Sequence, residues 1–597
     1  MFDAQLIPDS FEVAEECGLR VEVTSDEPME RGITLEWQFP NAWTAKECQS
    51  FTKQYQWQDE SAADFISVSA PGTNCHFDIH IEELEMDAHT EDTRHGRRIV
   101  ARLEEGSVQP GQPVVLQWLN TTAAWIAETD EIYVAVNGEP LDDSPTITTT
   151  PKEAVAVRVI APSAVKPGEA FDVRIVSLDV FDNCSKTRYS GEPVRGPDGD
   201  VLTEPLAFFG SCTATVALQE EGVQRVSWDG TLSNPIRVTE NPTGPYWGDV
   251  HIHTKYSTDA MGCEFYEYAR DVSGLDFAAA ADHGESVRHS WEAMKQINED
   301  FNDPGSFVTI LAYENGLPYP SGHHNNMYRG SDGVVYHRGD IDRHMKNLWP
   351  QLEPDEVITP AHHPGCSFRC PDNKGPAVVW EEEEPEFCMV AEVYSHHGLG
   401  EAYDPHHGLA YEISRAHDPG DRVCGSVPGK HYLQDAWAMG RRIGIYGSSD
   451  DHNGQGGRRH QGVAAVFADE LSREAIFSSF KNRQCYATTG ERILLDFTVN
   501  GVEMGQEGTA AAGETLSIEM EAYGTDAFTQ VELLKLDLAT GEYSIILDER
   551  PCEMDWTGTV EQSFEGDVMY YFRATQVGVI KDRPIMAWSS PVWIVEE

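Results

Sequence analysis

The sequence predicts a multidomain protein in which an α/β barrel of seven strands, distorted from regularity, is flanked by β-sandwich domains. Three observations lead there. The chain has 597 residues, and at roughly 150 residues per domain that predicts about four domains. Both ends consist of short β-rich runs punctuated by Pro, Gly, Asn and Asp, with little helical periodicity. Between them, strand-like runs that end in His, Asp or Glu alternate with amphipathic stretches, which is the pattern of an α/β unit.

Taken in order, residues 1–150 read as a first β-sandwich domain and 151–242 as a second, immunoglobulin-like one, carrying runs such as VAVRVIA, FDVRIVSL and VQRVSW. The cuts fall at the Pro/Thr-rich SPTITTTPKE and at NPTGPYWGD, both composed like joints. Residues 243–490 hold seven strand candidates: VHIHT, DFAAAADH, VTILAYE, GVVYHR, EVITPAHH, MVAEVYS and IGIYGSSDDH. Helical stretches lie between them, CEFYEYARDVSG, SVRHSWEAMKQINEDF, HYLQDAWAMG and LSREAIFSSFKNR. Seven strands of one direction suggest an irregular barrel, whose site would gather at the C-terminal strand ends. Residues 491–597 return to alternation in LLDFTVNG, TLSIEMEAYG and MYYFRATQ, giving a C-terminal β-sandwich. The Glu381–Glu384 run reads as a solvated loop.

Composition excludes several partners. With 43 basic against 100 acidic residues the formal charge is −57, the wrong sign for displacing phosphate counterions, so nucleic acid is not an expected partner. The acidity itself is most simply a solubility feature. No window reaches the roughly 20 uninterrupted apolar residues of a membrane span, and the start lacks the basic and then apolar regions of a secretory signal. A cytoplasmic protein that acts on a small molecule, without a membrane partner, is expected; whether it forms a homo-oligomer is open. Twelve cysteines are too sparse for a disulfide scaffold and suit a reducing compartment.

The informative residues are histidines, of which 14 of 22 fall between positions 251 and 407. In His251-Ile-His253 the alternation of strand side chains points both imidazoles to one face, a geometry suited to one metal ion. Asp259 follows in a turn, the next strand ends in Asp282-His283, and the third in Tyr313-Glu314. Gly322-His323-His324-Asn325, His362-His363 and Asp450-Asp451-His452 complete the series. Each supplies a nitrogen or oxygen donor of the kind that binds Zn, Mn or Fe. A single such His is more often a hydrogen-bonded interior residue, and it is the recurrence at successive strand ends that carries weight. Cys366 and Cys370 lack a second Cys pair nearby and read as structural thiols. No nucleophile elbow, Walker loop or dinucleotide fingerprint is present.

The opening GDVHIHTKYSTDA, the Ala-Asp-His, the strand-end Glu, the His near 362 and the final Asp-x-His occur in the order of the PHP family, named for polymerase and histidinol phosphatase domains. The resemblance covers roughly 245–465. YATTGERI and GHHN further resemble the carbaryl-hydrolase-like branch of metallohydrolases, extending the match to about 505. It implies a PHP-like barrel with β-rich flanking domains and two or three divalent ions, Zn, Mn or Fe. By the family's scheme His251, His253, Glu314 and Asp450 would hold the first ion; Glu314 would bridge to a second, held by His323 and His362. Asp259, His283 and His452 would hold a third, departing from relatives that have His at the position of Asp259. His323 over His324, and His362 over His363, are choices between neighbours.

The implied activity is metal-dependent hydrolysis, in which a metal-bridging hydroxide attacks a carbamate, ester or amide in a small molecule. Asp451 or His397 would return a proton to the leaving group, and Asp282 would orient His283. Tyr313, Tyr394, Glu392 and Arg458 would bind substrate, with Trp291 and Tyr319 as further aromatic candidates, although core packing explains the aromatics equally well. A phosphoesterase using Arg458 and Arg459 as a clamp is the alternative. His396, His406 and His407 read equally as exposed loop residues. A reading of a different class is a binding or scaffold protein with a structural metal, which the many donors and the lack of closed Cys cages disfavour.

Overall fold

The computed structural model of the chain describes residues 1–44, 53, 55–84, 96–257, 259–316, 322–336, 345–367, 377–411 and 425–597. In the N-terminal region, sheets of four and five strands share one apolar core that includes Val21, Trp37, Ile99 and Trp118. Alternation builds it: along Glu16–Ser25 the buried Leu19, Val21 and Val23 alternate with more exposed neighbours. Residues 151–242 enclose a separate core around Val173, Ile175, Trp228 and Ile236.

The central region contains β1 (Tyr246–Ile252), β2 (Phe277–Ala280), α1 (Trp291–Phe301), β3 (Ala312–Asn315), β4 (His323–Tyr328), β5 (Ala361–His362), β6 (Val390–Ser395), β7 (Gly444–Gly447), β8 (Val463–Val466), α2 (Arg473–Lys481) and β9 (Cys485–Thr488). These strands do not form the expected seven-stranded (β/α) barrel. Among the described residues about 10% are helical and about 45% strand, too little helix to follow every strand of such a barrel. Strand direction also disagrees. β1 pairs parallel with β2 but antiparallel with β8, and β8 antiparallel with β9. β3 turns back into β4, which pairs antiparallel with β5, whereas β5–β6 and β6–β7 are parallel. The physical reason is connection length: the chain between Asn315 and His323 is shorter than the about a dozen residues that a parallel crossover requires, so β3 and β4 form an antiparallel pair. Two mixed sheets result, of eleven and seven strands. The strand expected at GVVYHR is absent over Val334–Tyr336, and His337 and Arg338 lie outside the described residues.

The eleven-stranded sheet does not stop at residue 490. β9 pairs antiparallel with Arg583–Ser589, bringing Tyr486 opposite Ser589 and Thr488 opposite Ala587. One apolar core then runs from Trp247 and Tyr486 to Phe497, Val531 and Phe572. A second joins Tyr394 and Trp437 to Trp588 and Trp593. The two sheets meet at their strand ends, where His253 N–H donates to the Asp451 carbonyl (2.8 Å) and Glu314 N–H to the Asp282 carbonyl (3.0 Å). Among the described residues no helix is long and apolar enough to cross a membrane.

Trp588 is fully buried, stacks on Tyr394 of β6 at 6.2 Å between ring centroids and donates its indole N–H to Glu401 (2.9 Å). Trp588→Ala should lower unfolding free energy by about 3–5 kcal/mol in urea denaturation and should speed amide exchange in β6. A change confined to the C-terminal strands would contradict the shared core.

Candidate metal centre

β1 is buried on both faces, from Trp247 to Ile252. Gly248 makes room for it: a Cβ there would stand 2.2 Å from the Phe277 ring. At its end, His251 and His253 bring their Nε2 atoms within 3.1 Å of each other. Both converge on Glu314 Oε2, at 3.6 and 3.1 Å, and on Asp450 Oδ1, at 3.5 and 3.3 Å. Donors about 2.0–2.2 Å from a tetrahedral ion stand roughly 3.3–3.6 Å apart, close to the separations within His251, His253 and Asp450 and between the two imidazoles and Glu314 Oε2. Two imidazole nitrogens facing each other across 3.1 Å repel through their lone pairs unless a proton or a cation lies between them. The donor chemistry therefore fits a divalent ion.

Glu314 divides its oxygens. Oε2 faces the first pair and also His283 Nδ1 (3.2 Å), while Oε1 meets His323 Nδ1 at 2.6 Å and His362 Nε2 at 3.2 Å. Asp259 Oδ2 lies 3.4 Å from His283 Nε2 and 3.7 Å from His452 Nε2. Donor atoms of His253, Asp259, His283 and His452 all lie within 4.8 Å of one another, as do those of Glu314, His323, His362 and His363. All nine residues expected as ligands are thus brought together. They grade from a buried floor of His251, His253, Glu314, His362 and Asp450 to a more accessible rim of Asp259, His283, His323 and His452. Asp450 takes φ 53°, a left-handed conformation that Asp tolerates better than most residues.

Electrostatics follow from this packing. Burial alone would raise the Glu314 carboxyl, but the imidazoles of His283, His323 and His362 hold it well below the carboxylate range. Asp450 is likewise pulled far down by His251 and His397 against the effect of burial. Against burial, Asp450 and Glu314 raise His251 well above the usual imidazole value, Glu314 and Asp259 do the same to His283, and Asp259 raises His452 to about 9. His362, by contrast, is pushed down to about 4 by burial and by the charge of His251. Asp259 is held down in the same way by His283 and His452, so imidazoles face all three carboxylates of the cluster.

The expected proton-transfer and substrate residues fare differently. Asp451 is saturated: its carboxylate accepts from the backbone of Asn453 and Gln455 (both 2.8 Å) and from the side chains of Asn453 (3.2 Å) and Gln461 (2.8 Å). It holds the 453–461 loop and belongs to none of the donor groups. His397 does join the cluster, its Nε2 3.1 Å from Asp450 Oδ2. Tyr313 is fully buried against Trp291 at 5.8 Å. Tyr394 is also fully buried and donates to the His460 carbonyl (2.9 Å). Glu392 accepts from His363 N–H (3.0 Å) and Ser448 Oγ (2.5 Å), bracing the site from behind. Arg458 pairs with Asp182 (2.9 Å) of the second β domain, and Arg459 with Glu491 (3.1 Å). Asp282 accepts from Thr254 rather than orienting His283. His324 turns away from the cluster to Glu383 (2.8 Å). Tyr319 and Cys370 lie outside the described residues, and Cys366 is disulfide-bonded, so it is not the free thiol expected.

Three cluster members, His363, His396 and His397, lie outside the expected ligand set. His363 joins the second donor group together with His362, and His396 forms a further group with His397 and Asp450. The available signal was the doublet: His323-His324, His362-His363 and His396-His397 each place at least one imidazole in the cluster. A separate group of Glu128, Asp130 and Cys263 lies apart, and Lys255 at 3.4 Å from Asp130 supplies its countercharge.

Comparison with known proteins places residues 453–519 in a match to a family described as a protein of unknown function (DUF3604). The chain is similar to an uncharacterized protein of Chlamydia pneumoniae, 24% identical over 473 residues and covering 73% of each chain. An uncharacterized protein of Chlamydia muridarum is also 24% identical, over 476 residues and 73% of each. Among solved structures, Yersinia pseudotuberculosis InvD is similar with a TM-score of 0.20 and 10% identity, over 41% of this chain and 61% of InvD. Domains 4 and 5 of the S-layer protein SbsC give a TM-score of 0.13 at 14% identity, over 20% of this chain and 70% of that one.

Proposed function

We propose that the protein is a metal-dependent hydrolase that cleaves a carbamate, ester or amide bond in a small molecule. The observation that carries this reading is that His251 Nε2 and His253 Nε2 meet each other, Glu314 Oε2 and Asp450 Oδ1 at separations of 3.1 to 3.6 Å. Bound divalent ions would supply an acidified water and a Lewis acid for the scissile carbonyl.

The chain's own residues do the rest. Glu314 and Asp450 provide the fixed negative charge that balances cations in a buried floor. Glu314 ties the first donor set to the second because each of its oxygens serves one. Ser257 Oγ, 3.2 Å from His253 Nδ1, can accept that N–H and so present the His253 Nε2 lone pair to the cluster. The rim residues Asp259, His283, His323 and His452 line the side from which solvent and substrate reach the floor. A catalytic rather than a merely structural centre is favoured because structural zinc sites are closed by four protein ligands, while these donors are distributed over several overlapping groups with an accessible rim. The choice of carbamate, ester or amide rests on the resemblance to the carbaryl-hydrolase-like branch. Phosphoester cleavage is less well supported, since both arginines expected to clamp a phosphate are committed to Asp182 and Glu491.

Replacing His251 and His253 together with Ala should abolish bound metal, by mass spectrometry, and turnover of aryl carbamates or aryl esters; retained turnover would refute the assignment. His323→Gln should lower metal content, whereas His324→Ala should leave the metal count unchanged and cost about 1–3 kcal/mol in stability by removing the partner of Glu383 Oε2. Loading metal at pH 7 should release protons, because His251, His283 and His452 hold them above that pH in the metal-free protein and ligation needs the lone pair. Calorimetry in buffers of different ionisation enthalpy would measure this release, and apparent affinity should rise with pH.

A further inference from the structure

Asp450, like Glu314, splits its oxygens between two sets of imidazoles. Oδ1 faces His251 and His253 at 3.5 and 3.3 Å. Oδ2 points the other way, to His397 Nε2 at 3.1 Å. Ring nitrogens of His396 and His397 and an Asp450 oxygen all lie within 4.8 Å of one another. That is a donor set of two imidazoles and one carboxylate, outside the three-ion scheme, in which Asp450 serves one ion only.

The segment that carries the two histidines is held from two sides. His396 donates both its backbone N–H (3.0 Å) and its Nδ1–H (2.9 Å) to the Ser449 carbonyl. The second of these bonds fixes the tautomer that leaves the lone pair on Nε2, as a backbone acceptor commonly does for a metal-binding imidazole. From the C-terminal strands, Arg583 donates to the His396 carbonyl (2.5 Å) and to the Tyr394 hydroxyl (2.8 Å). Such bracing restricts the two rings before any ligand arrives, which lowers the entropy lost on binding. The His397 side chain keeps 12% of its surface exposed, so the set opens toward solvent.

Resting on the reading of the cluster as a metal centre, we propose that Asp450, His396 and His397 form an additional position for a divalent ion of the Zn, Mn or Fe(II) class. Asp450 is then a second bridging carboxylate, parallel to Glu314. Three protein donors leave coordination positions open for water or substrate, the pattern of a reactive rather than a structural ion. His397 serves as a ligand and not as the proton donor that the sequence suggested.

The test is an anomalous-scattering map of the full-length protein loaded with Mn, together with metal content by mass spectrometry. A peak among His396, His397 and Asp450 is expected, in addition to peaks at the His251/His253 and Glu314 groups. The His396→Gln/His397→Gln variant should lose about one equivalent of metal while keeping the ion at His251 and His253. Peaks at the other groups with none at this one, or an unchanged metal count in the variant, would overturn the additional position and leave the metal centre intact. No peak anywhere would overturn both.

Discussion

Everything in the central region is arranged around two buried carboxylates that cannot be left uncompensated. Glu314 and Asp450 are almost wholly withdrawn from solvent, and an isolated charge in that environment costs several kcal/mol or more. The fold answers by surrounding them with imidazoles, each of which can take either a proton or a cation on the single lone pair of a ring nitrogen. This explains why the floor of the site is both highly polar and fully packed. Removing any one member leaves its neighbours with unbalanced charge, so the cluster behaves as a unit and not as a sum of pairs.

Around this floor a second layer fixes geometry. Glu392 joins the backbone of His363 to the hydroxyl of Ser448, and Asp451 gathers the backbone and side chains of the 453–461 loop. Arg458 reaches back to Asp182, and Lys581 also approaches that carboxylate at 2.6 Å. Three regions widely separated in sequence are therefore tied together at one point behind the site. Removing one partner of the largely buried Arg458–Asp182 pair would leave the other charge uncompensated, which couples the loop behind the cluster to the second β domain.

Much of the candidate site was legible because strand geometry is periodic. The alternation in His251-Ile-His253 places two rings on one face, and polar donors at strand ends stand out against apolar runs such as DFAAAADH. Strand direction was not legible, since an apolar run of four to eight residues reads the same in a parallel or an antiparallel sheet, and the barrel expectation failed there. The surroundings of Tyr313, Tyr394 and Arg458 were not legible for a related reason. An aromatic or an arginine near a motif reveals nothing of its partner when that partner is far away in the chain, as Asp182 is from Arg458. His396 was hidden by its place just beyond β6, where local pattern does not distinguish a solvated loop from one clamped by Arg583.

The continuity of the eleven-stranded sheet from β1 to Arg583–Ser589 has a consequence for folding. That strand pairs with β9 and sends Arg583 to the histidine-bearing segment after β6, a contact between residues 187 positions apart. Contacts of such sequence separation form slowly, because loop closure costs entropy before they repay it. Assembly of the donor cluster therefore waits on long-range pairing, and a lesion in Arg583–Ser589 would disarm the protein at its centre rather than trim its edge.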